Sequence, residues 1–371
     1  MHTQREEVKH HFEDWCTKNQ CIFIEVEANQ TISRPIWRQM GDDGLLGCMI
    51  SEEYGGAGLG LEAFVDLIKL LALSSPSMAL SVLAHSLLCA NTIEQFGSKE
   101  QKSKYLPLLA SGQLVGCLGI SEDEAGSDAL AMRTSLKKDN NTSSHILNGH
   151  KMWITNGPIA DIAVVYAKNE DKINACIVEL TTTNKSKAMD KFGMKASPTG
   201  RLTFDSLKIN NTQILPEQGY KILKKSLDIE RIALSAIPIG IMNKAIAEII
   251  PYVTTRQQFG SVLAAKQLIQ NDIAEIYVKI QTTEALLEKA LDKNIDKKEL
   301  KMIASSLFLH SSQAATDVAS KTMDIFGAMG YMQDSRIPKL LEDAKLFQTG
   351  GGSENIRKLI IGHILTGFKA Y

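Results

Sequence analysis

The sequence has few cysteines, and none of them stands in a pattern typical of a disulfide framework or a metal site. Its six cysteines form no CxxC pair and no Cys/His spacing that suits metal ligation. We therefore expect reduced thiols, no bound metal and a cytoplasmic protein.

An excess of charge of either sign is also absent. Lys and Arg number 41 against 42 Asp and Glu, which gives a formal net charge of -1. This balance predicts no nucleic-acid partner.

The charged N-terminal stretch lacks the apolar core of a signal peptide, and Ser81, His85 and Ser86 interrupt the longest apolar region, 78–90. The sequence thus predicts no membrane-spanning segment and no membrane partner.

Familiar nucleotide-binding loops are missing as well. No GxGxxG follows a predicted strand, and there is no P-loop. Glycine-rich pieces stand at 55–58, 125–128 and 350–353. Each suits an ordinary turn, but together they could bring backbone N–H groups close to a phosphate-bearing ligand.

Apolar periodicity divides the chain into three parts. Residues 1–112 and 214–371 repeat apolar residues at intervals of three and four, whereas 113–213 holds short β-rich runs separated by turn residues such as Asn140-Asn141. We predict a mostly α fold with three domains at these boundaries, the middle one a small antiparallel β domain. In the last domain we predict helices at 219–249, 263–290, 297–326 and 353–368, with Pro238 interrupting the first.

Glu230 is the most informative single residue, because it interrupts an aliphatic helix face. Steps of three and four from it reach a stripe of aliphatic side chains: Leu223, Leu227, Leu234, Ile237 and Ile241. A carboxylate in such a setting has a raised pKa, as a general base near neutral pH requires. The alternative is an ordinary solvated or salt-bridged Glu-Arg pair with Arg231.

Several motifs together resemble those of the acyl-CoA dehydrogenase family, in the family's order and across nearly the whole chain. They are EEYGG at 52–56, SEDEAGSD at 121–128, NGHKMWITNG at 148–157, LDIER at 227–231, RQQFG at 256–260 and DAK at 343–345. The resemblance implies an N-terminal helical domain, a small β-barrel domain and a C-terminal four-helix bundle. It also implies bound FAD and an acyl-thioester substrate that is dehydrogenated between its α and β carbons.

The resemblance places the catalytic base at Glu230. Most family members carry a glutamate where this chain has Gly351, which cannot act as a base. A branch that includes isovaleryl-CoA dehydrogenases carries the base at the position of Glu230 instead, and this branch handles short or branched acyl groups. Glu230 would remove the α-proton while hydride passes to flavin N5.

The resemblance also assigns binding roles to other residues. Positions that match flavin or FAD contacts are Ser121, Ser127, Trp153, Thr155, Arg256, Phe259, Gln267, Ser353 and Asn355. Positions that match substrate contacts are Ser127, Asp228, Arg231 and Gly351. On pattern alone, Trp153 also suits a core aromatic and Arg256 a solvated helix end. The family implies a homodimer or homotetramer, with an electron-transfer flavoprotein or oxygen as acceptor.

Departures from the family pattern keep other functions open. Asp123-Glu124 replaces the usual Pro-Gly, and Asp324 and Ala328 alter the adenine-end motif. A dehydrogenase or oxidase of a prolyl-like acyl group on a carrier protein is therefore the main alternative, since prolyl-carrier-protein dehydrogenases resemble the same branch. A non-catalytic binding subunit and a flavin monooxygenase are further alternatives.

Overall fold

A computed structural model describes residues 2–139 and 144–368. The predicted turn at Asn140-Asn141 lies outside the described residues. The chain divides into two compact units. The first comprises Met1–Leu67, Leu80–Asp190 and Lys195–Glu230, and the second comprises Ile68–Ala79, Lys191–Met194 and Arg231–Tyr371.

Helices precede the sheet, as predicted. They are α1 (His2–Lys18), α2 (Gln20–Asn29), α3 (Arg34–Asp42), α4 (Gly60–Ser74), α5 (Pro76–Leu83), α6 (Asn91–Phe96) and α7 (Lys99–Ala110). A π-helical stretch, Ala84–Ala90, joins α5 to α6. A capping box begins α7, because the Ser98 side chain accepts from the Gln101 amide and the Gln101 side chain accepts from the Ser98 amide.

The middle of the chain forms a six-stranded sheet. Its strands are β1 (Gly116–Gly119), β2 (Ser135–Lys138), β3 (Ser144–Thr155), β4 (Ile162–Asn169), β5 (Lys172–Glu179) and β6 (Thr199–Asn210). The order is β1-β4-β2-β3-β6, with β5 also paired to β4.

The prediction of a purely antiparallel sheet is wrong, because β4 runs parallel to β1 and to β2. The first six residues of β4 are all buried. A strand that is covered on both faces has a continuous run of apolar residues instead of alternating apolar and polar residues. Such a run is typical of parallel strands. Alternate β4 side chains belong to two apolar clusters, one including Val164 and Tyr166 and the other Ala163 and Val165.

A single 37-residue helix, α8 (Gly219–Thr255), follows the sheet and contains both Pro238 and Pro251. It is therefore longer than predicted, and Pro238 does not end it. Every residue from 231 to 242 is buried. Apolar burial on this scale outweighs the cost of about 3 kcal/mol that a proline imposes on a helix interior.

The remaining helices lie close to the predicted positions. A hairpin, β7 (Gln257–Gln258) and β8 (Ser261–Val262), delays the start of α9 (Gln267–Leu291), and α10 (Lys297–Phe326) begins at an Asp296 N-cap. Two further helices, α11 (Ala328–Tyr331) and α12 (Ile337–Lys345), were not predicted, and α13 (Glu354–Thr366) is the last helix of the described chain.

Two helical stretches, Pro76–Phe96 and Gly219–Thr255, are long and apolar enough to cross a membrane by length and composition alone. The prediction that no stretch meets this criterion is therefore wrong. Their most apolar windows are 89% and 72% buried, which is typical of core helices. All six cysteines are free thiols, as predicted.

Candidate active site

The first unit contains a cavity of about 670 Å³ that Glu230 lines. This volume is within the range of small-molecule sites. Its wall is largely aliphatic, with contributions from the π-helical stretch, α6, β1, β4 and α8. The aliphatic side chains include Leu87, Leu88, Leu118, Ile120, Leu223 and Leu227.

The aliphatic stripe around Glu230 is mostly buried, as predicted. Leu223 and Leu234 are 7% and 5% exposed, and Ile237 and Ile241 are fully buried. Leu227 is 36% exposed instead, because it lines the cavity with Glu230. The half-buried Glu230 carboxylate is thus set in an apolar cavity wall, which is a suitable environment for a general base.

Tyr166 is a cavity residue that sequence reasoning missed. It lies on β4 and is 1% exposed, and it lines the same cavity as Glu230. Burial, together with the negative charge of Glu230, raises the pKa of its phenol. No sequence signal distinguished it, because its neighbours on β4 are equally buried.

Polar groups elsewhere on the cavity wall come from α6, from α8 and from Glu217, which precedes α8. Asn91, Thr92 and Gln95 share one face of α6. Glu217 accepts from Lys221 and Lys225, each at 3.5 Å, and the Lys225 ammonium lies 5.5 Å from the centre of the Phe96 ring. Both lysines are more than half exposed, so these charges lie toward solvent.

The segment that carries Ser121 and Ser127 is held by a buried ion pair. Glu122 is 4% exposed and Lys151 is fully buried, and the Lys151 ammonium donates to Glu122 at 2.8 Å. Glu122 also accepts from the backbone amides of Arg133 and Thr134 at 2.6 and 3.0 Å. Desolvation opposes ionisation of Glu122, but these hydrogen bonds and the ammonium outweigh it and lower its pKa to about 2.

A backbone contact places Ser121 beside the part of β3 that carries Trp153 and Thr155. The Met152 amide donates to the Ser121 carbonyl at 2.9 Å, so the segment runs beside β3. Trp153 has a positive φ of 58° at a bulge of β3 and is 54% exposed. A bulky residue held in this strained conformation and turned to solvent is typical of a ligand contact rather than of a core residue.

Asp123 and Glu124 are engaged with cations and do not line the cavity. The Asp123 carboxylate accepts from Arg201 at 2.5 Å and pairs with His150 at 2.8 Å. Glu124 pairs with Arg133. Asp123 therefore braces the segment against β3 and β6, whereas Glu124 ties it to the residues just before β2.

In the second unit, a hairpin gathers Arg256, Phe259 and Gln267. The Leu263 amide donates to the Arg256 carbonyl at 2.8 Å, and Gln267 begins α9. Phe259 is 95% exposed at the hairpin tip, with a φ of 50°. These side chains are available to a large ligand or to another protein chain.

The glycine-rich loop before α13 leaves room for a side chain at Gly351 only if Leu234 and Phe308 shift. A Cβ there would lie 2.5 Å from Leu234 and 2.9 Å from Phe308, and φ is +65°. Arg357, another residue that sequence reasoning missed, fixes this loop, because its fully buried guanidinium donates to the carbonyls of Phe308 and Phe347 at 2.9 and 2.7 Å.

The remaining predicted binding residues lie at the start of α13 and on α8. Ser353 is the N-cap of α13, and Asn355 is an exposed residue of its first turn. On α8, Asp228 is half-buried and Arg231 is 6% exposed. Their binding roles, like those of the other predicted site residues, stay predictions.

Comparison with known proteins confirms the resemblance. Family models of the N-terminal, middle and C-terminal domains of acyl-CoA dehydrogenases match residues 3–113, 117–207 and 217–366. The mitochondrial isovaleryl-CoA dehydrogenase of Arabidopsis thaliana is 38% identical over 340 residues, which cover 89% of this chain and 82% of that protein.

Solved structures agree over nearly the whole chain. Butyryl-CoA dehydrogenase from Megasphaera elsdenii has a TM-score of 0.90 at 29% identity, covering 97% of each chain. A prolyl acyl carrier protein oxidase has a TM-score of 0.89 at 25% identity, covering 98% of this chain and 99% of the other. The chain belongs to the acyl-CoA dehydrogenase family of flavin-dependent oxidoreductases, with that family's three-domain fold.

Proposed function

We propose that this protein dehydrogenates a short or branched acyl thioester between its α and β carbons, with Glu230 as the base that removes the α-proton. The observation that carries the proposal is the place of Glu230 in an apolar cavity large enough for an acyl group and part of its carrier arm. The α-proton of a thioester is only weakly acidic, so its removal needs a positioned base of suitable pKa.

The loop before α13 supports this assignment, because a second base has no room there. Most family members carry the base where this chain has Gly351. The left-handed backbone and the contacts of a Cβ with Leu234 and Phe308 exclude a glutamate at this position without rearrangement. Glu230 is then the candidate base.

FAD, the family's cofactor, supplies the hydride acceptor when bound. The residues present fit such a group. Trp153 offers an exposed indole on the part of β3 that carries Thr155 and contacts the Ser121 backbone, and the two hydroxyls suit the polar edge of a flavin ring. Arg256 and Phe259 are exposed and suit a diphosphate and a flat aromatic group. Glu122 and Lys151 hold the Ser121 segment in place for this contact.

Carrier-protein substrates remain the second candidate, and the similarity to a prolyl acyl carrier protein oxidase favours them. A cationic acyl group would need a carboxylate in the cavity besides the base. Asp123 and Glu124 do not provide it, and Glu217 is paired with lysines. We therefore favour an uncharged acyl group over a cationic, prolyl-like one.

We further propose a homodimer or homotetramer and an electron-transfer flavoprotein or oxygen as acceptor. The exposed apolar side chains of the second unit support self-association. Phe259 is 95%, Leu268 79% and Tyr331 75% exposed, and such groups are typical of surfaces that another chain covers.

The test is anaerobic bleaching of the bound flavin by a panel of saturated thioesters: isovaleryl-CoA, straight-chain acyl-CoAs and prolyl-carrier protein. We expect isovaleryl-CoA or a short relative to bleach the wild-type flavin and Glu230→Gln to abolish bleaching. Glu217→Gln is the matched control, since it changes another cavity carboxylate that is not the proposed base. Equal bleaching by Glu230→Gln would exclude this base, and bleaching by prolyl-carrier protein alone would favour the second candidate.

A further inference from the structure

Tyr166 lines the same cavity as the candidate base and lies on an element that fixes its ring. Its strand, β4, pairs with β1 on one side and with β5 on the other. The ring belongs to an apolar cluster that includes Ile177, Ile222 and Leu223. A phenol fixed in this way has little freedom to turn away from the cavity it lines.

The hydroxyl of Tyr166 is directed to the cavity rather than to the protein. Among the described residues, no group forms a hydrogen bond with it, although the residue is 1% exposed. The hydroxyl is not one of the fully buried polar atoms that lack a partner, so it is accessible from the cavity that Tyr166 lines. Its partner therefore comes from the cavity: a bound ligand, or an ordered water that links the hydroxyl to the Glu230 carboxylate.

The charges in the cavity favour Glu230 as the group with which this hydroxyl interacts. The titratable side chains that line it are Tyr166, Glu217, Lys225 and Glu230. Glu217 and Lys225 pair with each other at 3.5 Å. The pKa of Tyr166 is raised by burial and then by the charge of Glu230, so the phenol stays protonated and acts as a donor.

We propose that Tyr166 is a positioning residue for the base: its O–H, directed into the cavity, stabilises the carboxylate form of Glu230 and keeps it ready to accept the α-proton. This inference rests on the proposed function, in which Glu230 is the base. A donor to a carboxylate stabilises the charged form and lowers its pKa, so loss of the donor raises that pKa.

Two variants of opposite effect test this role. Tyr166→Phe removes the donor and should raise the acid-limb pKa of anaerobic flavin reduction by isovaleryl-CoA by about one unit, a tenfold slower reaction at low pH. Tyr166→3-fluorotyrosine keeps the ring and strengthens the donor, so it should lower the same pKa. A merely structural role would not produce shifts of opposite sign.

Tyr105→Phe is the matched control. Tyr105 belongs to the same apolar cluster and is 3% exposed, but its hydroxyl donates to Glu179 at 2.9 Å and it does not line the cavity. Tyr105→Phe should leave the pH dependence of flavin reduction unchanged. An unchanged profile in both Tyr166 variants would overturn the inference.

A readout without turnover separates this inference from the proposed function. The carboxyl band of Glu230 in an infrared pH titration, assigned by its absence in Glu230→Gln, should shift to higher pH in Tyr166→Phe. If Glu230→Gln still bleaches, the proposed function fails while the titration still measures the coupling. If Glu230→Gln is inactive and neither the band nor the profile moves, only the role of Tyr166 fails.

Discussion

Glu122 and Lys151 form a charge pair with almost no exposure to solvent, and each depends on the other for its stability in the fold. We predict that Glu122→Gln lowers the free energy of unfolding by about 3 kcal/mol, because it leaves the Lys151 ammonium buried without a counter-charge. Urea unfolding measures this loss. Glu124→Gln, which changes an exposed pair with Arg133, should cost at most about 1 kcal/mol.

A double variant tests the cause. Glu122→Gln with Lys151→Met removes both charges and should recover part of the loss, since an apolar replacement of a buried ion pair is often neutral. Equal losses in the single and double variants would show that the hydrogen bonds to Arg133 and Thr134, rather than the charge pair, hold the segment.

The three consecutive glycines before α13 differ in their surroundings and allow a comparison at single residues. Gly351 and Gly352 both have positive φ, but a Cβ meets Leu234 and Phe308 only at Gly351, while nothing lies within 4 Å at Gly352. We predict that Gly351→Ala costs about 2 kcal/mol more stability than Gly352→Ala, because overpacking adds to backbone strain. Gly350→Ala, with its nearest atom at 3.4 Å, should cost less than either. Thermal unfolding measures the order, and equal losses at Gly351 and Gly352 would show that the loop relaxes.

At the scale of one element, His85 fixes the π-helical stretch to its neighbours. The Gly116 amide donates to Nδ1 at 3.0 Å, so Nε2 carries the proton and donates to the Leu109 carbonyl at 3.1 Å. Burial lowers the pKa of His85 to about 4. This element is thus joined to β1 and α7 by a neutral imidazole that cannot accept a second proton without losing the Gly116 bond.

A pH dependence of stability follows from this pKa. The unfolded state binds a proton below about pH 6.5 and the folded state only below about pH 4, so stability is full above pH 6.5 and falls as the pH drops between these values. The loss at pH 4 from this group is about 3 kcal/mol. Urea unfolding between pH 7 and pH 4 measures it. The fall in the free energy of unfolding between pH 7 and pH 4 should be smaller in His85→Gln than in the wild type. An equal fall in both proteins would show that other groups cause it.

Helix positions were predictable from periodicity, whereas the cavity was not. Aliphatic residues at intervals of three and four are enough to place α9, α10 and α13 within a few residues. The same pattern identified Glu230 as an exception in an apolar stripe. Tyr166 gave no signal, since it follows four buried residues of β4, and its relation to Glu230 depends on how β4 and α8 fold together. The π-helical stretch also gave none, because its apolar pattern suits an α-helix equally well.

At the scale of the whole molecule, a short segment belongs to the second unit although both its flanks belong to the first. This segment is Lys191–Met194, and Asp343 of α12 holds it. The buried Asp343 carboxylate accepts from the Met194 amide at 2.6 Å and from the Lys339 ammonium at 2.7 Å. The backbone of this segment also packs closely against α12, since a Cβ on Gly193 would lie 2.0 Å from the Glu342 carbonyl oxygen.

We predict that Asp343→Ala releases this segment and raises the rate of tryptic cleavage after Lys191 or Lys195 by tenfold or more. A charged hydrogen bond contributes about 1.5–3 kcal/mol, and cleavage of a native protein follows the population of its locally open form. Cleavage at Lys293, in the loop between α9 and α10, is the internal standard and should not change. Glu342→Ala is the matched control, because it removes only an exposed hydrogen bond from Gln333. Cleavage accelerated equally at Lys293 would show that Asp343 stabilises the unit globally, because its loss would then open the molecule as a whole rather than one segment.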